Sequence, residues 1–206
     1  MSSSEHTGPV EAIVDVVEEV TTPDPPAWSR HLTDRATRFD EVADGLVDRL
    51  RGNAVADRLM YSVTELADFS LLWHLIASAR GLRSDRDARE ALRLVTVMGI
   101  ESTLVNVGIK SLFRRERPIP EFERPHHLRI PLTTSFPSGH ASAAFCAATL
   151  LSDRATPAVA ACWYSLAGLV ATSRVHVKIH HGSDVAGGVV VGLVVGRVAR
   201  RLWRLR

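Results

Sequence analysis

Residues 184–203 read Asp184-Val-Ala-Gly-Gly-Val-Val-Val-Gly-Leu-Val-Val-Gly-Arg-Val-Ala-Arg-Arg-Leu-Trp203. The run is apolar until its last turns, and Gly188, Gly192 and Gly196 fall four residues apart. Small residues at that interval share one helix face and let two membrane helices approach closely. Trp203, beside arginines at the end of the run, suits a membrane–water interface. Four further apolar blocks precede it, at about 65–80, 91–113, 140–152 and 157–173. Block 91–113 is rich in Leu, Val and Ile, but it is long and lacks the alternation of a strand, which predicts helix. Pro157 opens its block at a favoured first-turn position.

Ahead of the blocks, Phe39, Val42, Ala43, Leu46, Val47 and Leu50 recur at helical spacing, with Asp and Arg on the opposite face. This predicts an amphipathic helix over 37–60, too polar to cross a bilayer. Residues 1–35 are polar, carry Pro23, Pro25 and Pro26, and read as a tail in which 10–20 has the pattern of a short amphipathic helix. No basic segment followed by an apolar one opens the chain, so a cleaved secretion signal is not expected. The predicted fold class is all-α: a membrane-embedded helical bundle of about five apolar helices with an N-terminal amphipathic helix, one domain from 36 to 206. A soluble bundle competes with this reading. Asp68, His74, Glu101 and Asn106 interrupt the blocks, mean hydropathy is only +0.04, and the uninterrupted runs fall short of the ~20 residues of a span. The short polar turns between blocks favour the membrane, where polar residues within spans line the bundle interior.

With 206 residues the chain is long enough for one domain with a sizeable core. A net charge of +2 does not argue for nucleic-acid binding, and of 25 basic residues only Lys110 and Lys178 are lysines. Cys146 and Cys162 sit in apolar runs without metal-ligand spacing and read as small buried hydrophobes; no structural metal is expected. Arg80, Arg83, Arg86 and Arg89 fill one turn, and five arginines fall within 197–206. Five alternating spans put both groups on one side, which the positive-inside rule makes cytoplasmic. The loop 114–137 then lies outside, although it also carries Arg114, Arg115, Arg117, Arg124 and Arg129. Nothing in the sequence speaks to oligomeric state.

Three clusters bear chemistry: Lys110 to Arg117-Pro118, Pro137-Ser138-Gly139-His140, and Ser173-Arg174 with His180 and Asp184. The five-block order brings all three to one end of the bundle. Lys110 and Arg117 are two helical turns apart and can point the same way. With Arg174 they supply three positive charges, and planar guanidinium groups bind phosphate oxygens bidentately. Ser138 offers a hydroxyl and Gly139 an unobstructed N–H where a helix begins, a natural anion site. His180 and Asp184 are four apart, so Asp184 can accept a proton from one ring nitrogen and leave the other free to attack phosphorus. His140, on another element, is placed to protonate a leaving oxygen and later to deprotonate water. Asn106 lies one turn from Lys110, within reach of a hydrogen bond. Glu101 reads as an interior polar partner, His126 and His127 as solvated loop residues, and His176 and His181 as bystanders.

These residues resemble the type 2 phosphatidic acid phosphatase superfamily, whose pattern is K-x6-RP, PSGH and SR-x5-H-x3-D. All eleven fixed positions match, and at roughly one in twenty each by composition, coincidence is negligible. The chain looks most like small actinobacterial members. The resemblance implies a helical core of the acid phosphatase/vanadium haloperoxidase type and a catalytic face outside the cytoplasmic membrane. It implies a lipid-phosphate or polyprenyl-phosphate substrate taken from among the membrane lipids, and no cofactor. It also implies Lys110, Arg117, Ser138, Gly139 and Arg174 on the phosphate, His140 as general acid/base, His180 as nucleophile and Asp184 orienting it. Many members have six spans; here the segment 37–60 stands where the first would be. Two rival functions remain open. A vanadium-dependent haloperoxidase shares the three motifs but is typically larger and soluble. A non-catalytic lipid-phosphate-binding membrane protein would need the cations but not the histidines.

Overall fold

The computed structural model describes residues 27–204 except 121, 123 and 126, with side chains from residue 31 onward. The tail helix expected at 10–20 and His126 lie outside the described residues. Among the described residues seven α-helices follow in order: α1 (Ala27–Asp48), α2 (Ala54–Leu66), α3 (Leu71–Gly81), α4 (Asp85–Thr103), α5 (Gly139–Leu151), α6 (Pro157–His176) and α7 (Gly182–Leu202). No strand occurs among them. From Arg38 onward the described residues form one compact unit, and residues 27–37, the first turns of α1, belong to a separate N-terminal one.

Local chemistry sets the helix starts. Asn53 Oδ1 accepts from the N–H groups of Val55 and Ala56 at 3.0 and 3.1 Å, and Ser84 Oγ accepts from Asp87 at 3.1 Å. Each satisfies donors that a first turn otherwise leaves unpaired. Thr156 caps α6 with Pro157 behind it. The amphipathic pattern of 37–60 predicts one helix, but the structure has two. The chain turns at Gly52 (φ +80°), a conformation open to glycine at little cost. Block 65–80 is likewise divided, by a 3-10 turn at Asp68–Ser70 where Phe69 and Ser70 both have positive φ.

The core forms around α5. Its buried residues, Ala143, Ala144, Cys146, Ala147 and Ala148 among them, pack with Trp73 of α3, Met98 of α4 and Val170 of α6. The stripe Gly188, Gly192 and Gly196 lets α7 lie directly on the α5 backbone. A Cβ at Gly192 would fall 2.1 Å from the Ser142 carbonyl oxygen, and one at Gly188 would fall 2.4 Å from that of Ser138. Among the described residues three helices are long and apolar enough to cross a membrane: α4 with its extension to Leu112, α6 and α7. The apolar α5 has 13 residues and α3 has 11. Cys146 is buried as expected, but Cys162 is exposed on α6.

From Arg38 onward α1 is turned inside out relative to a helix on a soluble protein. Asp40 is 8% exposed while Phe39, Val42 and Leu46 are 50–62% exposed. Carboxylates bind it to the bundle: Asp44 pairs with Lys178 at 2.5 Å and with Arg51 at 2.6 Å. Arg51 also donates to the carbonyls of Val175 and His176 at the end of α6, where cations complement the helix terminus.

Candidate active site

The three motif clusters meet where α5 and α7 begin and α4 ends. The approach of α4 is irregular: after Thr103 it widens into a π turn (Leu104–Gly108) and tightens into a 3-10 turn (Ile109–Leu112), a distortion frequent at functional sites. Phe113 is extended, so Lys110 and Arg117 are not on one helix as their spacing predicts. The loop 131–135 unites them instead. Lys110 Nζ donates to Thr133 Oγ1 at 3.0 Å, and Arg117 Nη2 donates to the Thr133 carbonyl at 3.0 Å. Asn106 does not bond Lys110; its amide donates to the Ser102 carbonyl at 2.9 Å.

A cavity of about 540 Å³ opens here, with Lys110, Gly139, His140 and His180 in its wall. Its edge includes Phe69 and Leu132, 74% and 106% exposed. His180 is 2% exposed, and its Nε2 lies 3.2 Å from Arg117 Nη1. That guanidinium is held in turn by the Ile179 carbonyl at 3.0 Å. An arginine can only donate, so this contact suits an unprotonated Nε2. Burial, the largest influence, pushes the His180 pKa down to about 3; the charges of Arg174 and Arg117 act with it, and the Asp184 carboxylate pulls the other way.

His180 and Asp184 are not on one helical turn. His180 precedes α7, and Asp184 sits in its first turn, where its Oδ2 accepts from the His181 N–H at 2.8 Å. His180 Nδ1 is 3.6 Å from Asp184 Oδ2, too long for a direct hydrogen bond. The buried Ser135 hydroxyl stands between them, donating to Asp184 Oδ2 at 2.5 Å and lying 3.4 Å from His180 Nδ1. The other carboxylate oxygen, Oδ1, accepts from Arg115 Nη1 at 2.6 Å, and Arg115 Nη2 reaches Asp40 of α1 at 2.5 Å. Asp40 closes the ring by accepting from the Ser183 N–H at 2.6 Å.

Arg174 is 1% exposed and, like Arg117 and Ser138, is not among the residues of the cavity wall. It donates to Thr64 Oγ1 through Nη1, leaving Nε and Nη2 without a partner; Arg117 Nε is unpartnered as well. Buried donors of a cationic group that lack an acceptor are costly, and they mark where an anion would be held. Ser138 is fully buried; its Oγ caps α5 by accepting from Ala141 N–H at 3.4 Å, and its own N–H donates to the Asp184 carbonyl. His140 Nε2 pairs with Asp68 Oδ1 at 2.8 Å. Burial works to raise the Asp68 pKa, but the His140 bond and nearby cations hold it below its ordinary value.

Sequence reasoning missed Ser135, Arg115, Asp68 and Asp40. Arg115 stands inside the first motif and Ser135 two residues before Pro137, so proximity to motifs was an available signal for both. Asp68 and Asp40 reach their partners across 72 and 75 residues of chain, and no local pattern marks them. Glu101 is buried and bonded to Ser142, an interior partner as expected. His176 pairs with Asp57 at 2.8 Å, and His127 is exposed.

A profile of the PAP2 superfamily matches residues 90–206. Decaprenylphosphoryl-5-phosphoribose phosphatases from two strains of Mycobacterium tuberculosis are 32% identical over 164 residues, covering 76% of this chain and 84% of theirs. Among solved structures, Aquifex aeolicus LpxE aligns with a TM-score of 0.62 at 24% identity, over 77% of this chain and 92% of that one. A transmembrane PAP2-type phosphatidylglycerolphosphate phosphatase from Bacillus subtilis aligns with a TM-score of 0.63 at 22% identity, over 96% of each chain. The two structures share the fold, while the profile and the mycobacterial relatives carry the kinship: this chain belongs to the PAP2 superfamily, as a membrane phosphatase of that family.

Proposed function

We propose that this chain hydrolyses a lipid phosphate or polyprenyl (di)phosphate through a phosphohistidine intermediate, with His180 as nucleophile. The observation that carries the reading is a buried, neutral His180 beside Arg117 in a cavity whose surroundings hold unpartnered guanidinium donors. The phosphoryl group sits against His180 Nε2, its oxygens taken by Lys110, Arg117, Arg174, Ser138 and the Gly139 N–H. These donors are fixed before reaction and stabilise charge as it develops, so that no metal is required. The Nε2 lone pair forms the N–P bond while the P–O bond to the lipid breaks. His140, oriented by Asp68, gives its proton to the leaving oxygen. The Nδ1 proton of His180 is held through Ser135 by Asp184, which Arg115 and Asp40 hold in place in turn. Water then attacks phosphorus, His140 takes its proton, and His180 leaves with inorganic phosphate as product.

The apolar edge at Phe69 and Leu132 supports an amphiphilic substrate. The mycobacterial relatives make a polyprenyl-linked sugar phosphate the first to test. Arginine-rich turns at the far end of the bundle support a site that faces outward across the cytoplasmic membrane.

The test is phosphate release by detergent-purified protein in EDTA from a panel of lipid phosphates, with His180→Ala alongside. The expected result is release that survives EDTA and falls by at least about a thousandfold in the variant. Release from no lipid by folded wild type would overturn the reading, and vanadate-dependent bromination by peroxide would replace it with the haloperoxidase chemistry.

A further inference from the structure

The end of the molecule away from the site holds a second polar cavity, of about 400 Å³, lined by Asp153, Arg154, Arg197, Arg200, Arg201 and Arg204. Helix α7 runs 21 residues between the two ends. At 1.5 Å per residue that is about 30 Å, the thickness of a bilayer's hydrocarbon core. Arg197, Arg200 and Arg201 recur at the intervals of one face of α7, and Arg204 follows just past its end. Arg154 comes from the turn after α5, at φ +69°.

The cavity is built on a fixed base. Asp153 pairs with Arg93 at 3.0 Å and with Arg200 at 3.1 Å. Arg93, 2% exposed, also donates to the Trp203 carbonyl at 3.1 Å, tying the end of α7 to α4. The guanidinium groups of Arg197, Arg200, Arg201 and Arg204 thus line one space together, with Arg154 beside them and Asp153 at its base. Arginines in a last helical turn complement its exposed carbonyls, but that accounts only for the α7 members. Like charges three and four apart on one face repel, and an anion between them offsets that repulsion. The guanidinium fork matches phosphate oxygens. Along α7 the exposed residues Val190, Val194, Val198 and Leu202 form an apolar stripe that leads to the cavity.

We infer that this cavity binds the phosphate headgroup of an anionic membrane phospholipid, in the leaflet opposite the catalytic site, with the acyl chains along the α7 stripe. The test uses the full chain in neutral detergent, titrated with phosphatidylglycerol, with phosphatidylcholine of the same chains, and with inorganic phosphate. Thermal stabilisation and lipid retained in native mass spectra are the readouts. Arg197→Gln/Arg201→Gln is compared with Arg197→Lys/Arg201→Lys and with Arg83→Gln/Arg89→Gln, which removes charge outside the cavity. Hydrolysis in detergent, expected to be unchanged in all three, reports folding. Phosphatidylglycerol should half-saturate at about a tenfold lower concentration than phosphatidylcholine, and the glutamine pair should erase that advantage. The lysine pair should keep part of it and the outside pair all of it. An equal response of wild type and glutamine pair overturns the proposal, as does an equal response to the two lipids. A saturable response to inorganic phosphate alone, lost in the glutamine pair, overturns the lipid as ligand. If the glutamine pair is inactive, a lysine pair that responds to phosphatidylglycerol no better than to phosphatidylcholine overturns it too.

Discussion

At the scale of single residues, the site depends on one imidazole being both buried and unprotonated. Burial, the largest influence, takes His180 from an ordinary value of 6.5 down to about 3, against the pull of Asp184. Its Nε2 is therefore free at any pH above about 3, and the acid limb of kcat/KM should not follow an ordinary histidine near 6.5. The same shift has a cost in stability. Between pH 6.5 and 3 the unfolded chain binds a proton at this position that the folded chain does not, so stability falls as pH falls through that window and levels off below it. Thermal unfolding in detergent should therefore depend more steeply on pH between about 4 and 6.5 in the wild type than in His180→Ala. Equal slopes would show that the ring is solvated in the folded protein. The four-residue interval between His180 and Asp184 made the pair legible, but Ser135 between them was not, because its role arises from how the loop before α5 folds over α7.

At the scale of elements, the glycine stripe was the most informative pattern. Gly192 faces the Ser142 carbonyl so closely that any Cβ forces α5 and α7 apart. Lipid tails provide no hydrophobic drive to hold separated helices together. Gly192→Val should destabilise the protein by about 2 kcal/mol or more. A Cβ at Gly168 of α6 would meet nothing within 4 Å, so Gly168→Ala should be neutral or stabilising by up to about 1 kcal/mol. Denaturation in detergent checks both, and a tolerated Gly192→Val would mean that the α5–α7 approach is looser than described. Helix identity was readable because apolar periodicity is local. The breaks at Gly52 and at Phe69–Ser70 were not, since periodicity continues across them and only tertiary contacts fix the turn. The same reason hides the work of α1. Its sequence shows an amphipathic pattern without saying which face meets the bundle, and in the structure Asp40 and Asp44 turn inward to Arg115 and Lys178. The exposed Phe39, Val42 and Leu46 are what a helix lying in a membrane interface presents. From Arg38 onward α1 is thus joined through Asp40 and Arg115 to Asp184, the carboxylate behind the proposed nucleophile His180.

At the scale of the whole molecule, the proposed orientation is a matter of where charge gathers along the bundle. The motif loops gather at the start of α5 and α7. Arg80, Arg93, Arg154 and the α7 arginines gather at the other end, around Leu150 and Leu151. Arginine at the site end is largely engaged: Arg115 with Asp40 and Asp184, Arg117 and Arg124 with backbone carbonyls. At the far end Arg80 pairs with Glu90, and Arg93 and Arg200 with Asp153, so pairing alone does not separate the two basic faces. In the orientation proposed above, the positive-inside rule sets the far end toward the cytoplasm. Leu132 beside the cavity and Arg83 in the α3–α4 turn are both exposed. In a Cys162→Ser background, with Cys146 buried, Leu132→Cys should react with a membrane-impermeant maleimide on intact cells. Arg83→Cys should react only after lysis. The reverse pattern would place catalysis on the cytoplasmic side and restrict the substrate to lipids phosphorylated there; labelling of both on intact cells would mean that the bundle does not separate two compartments at all.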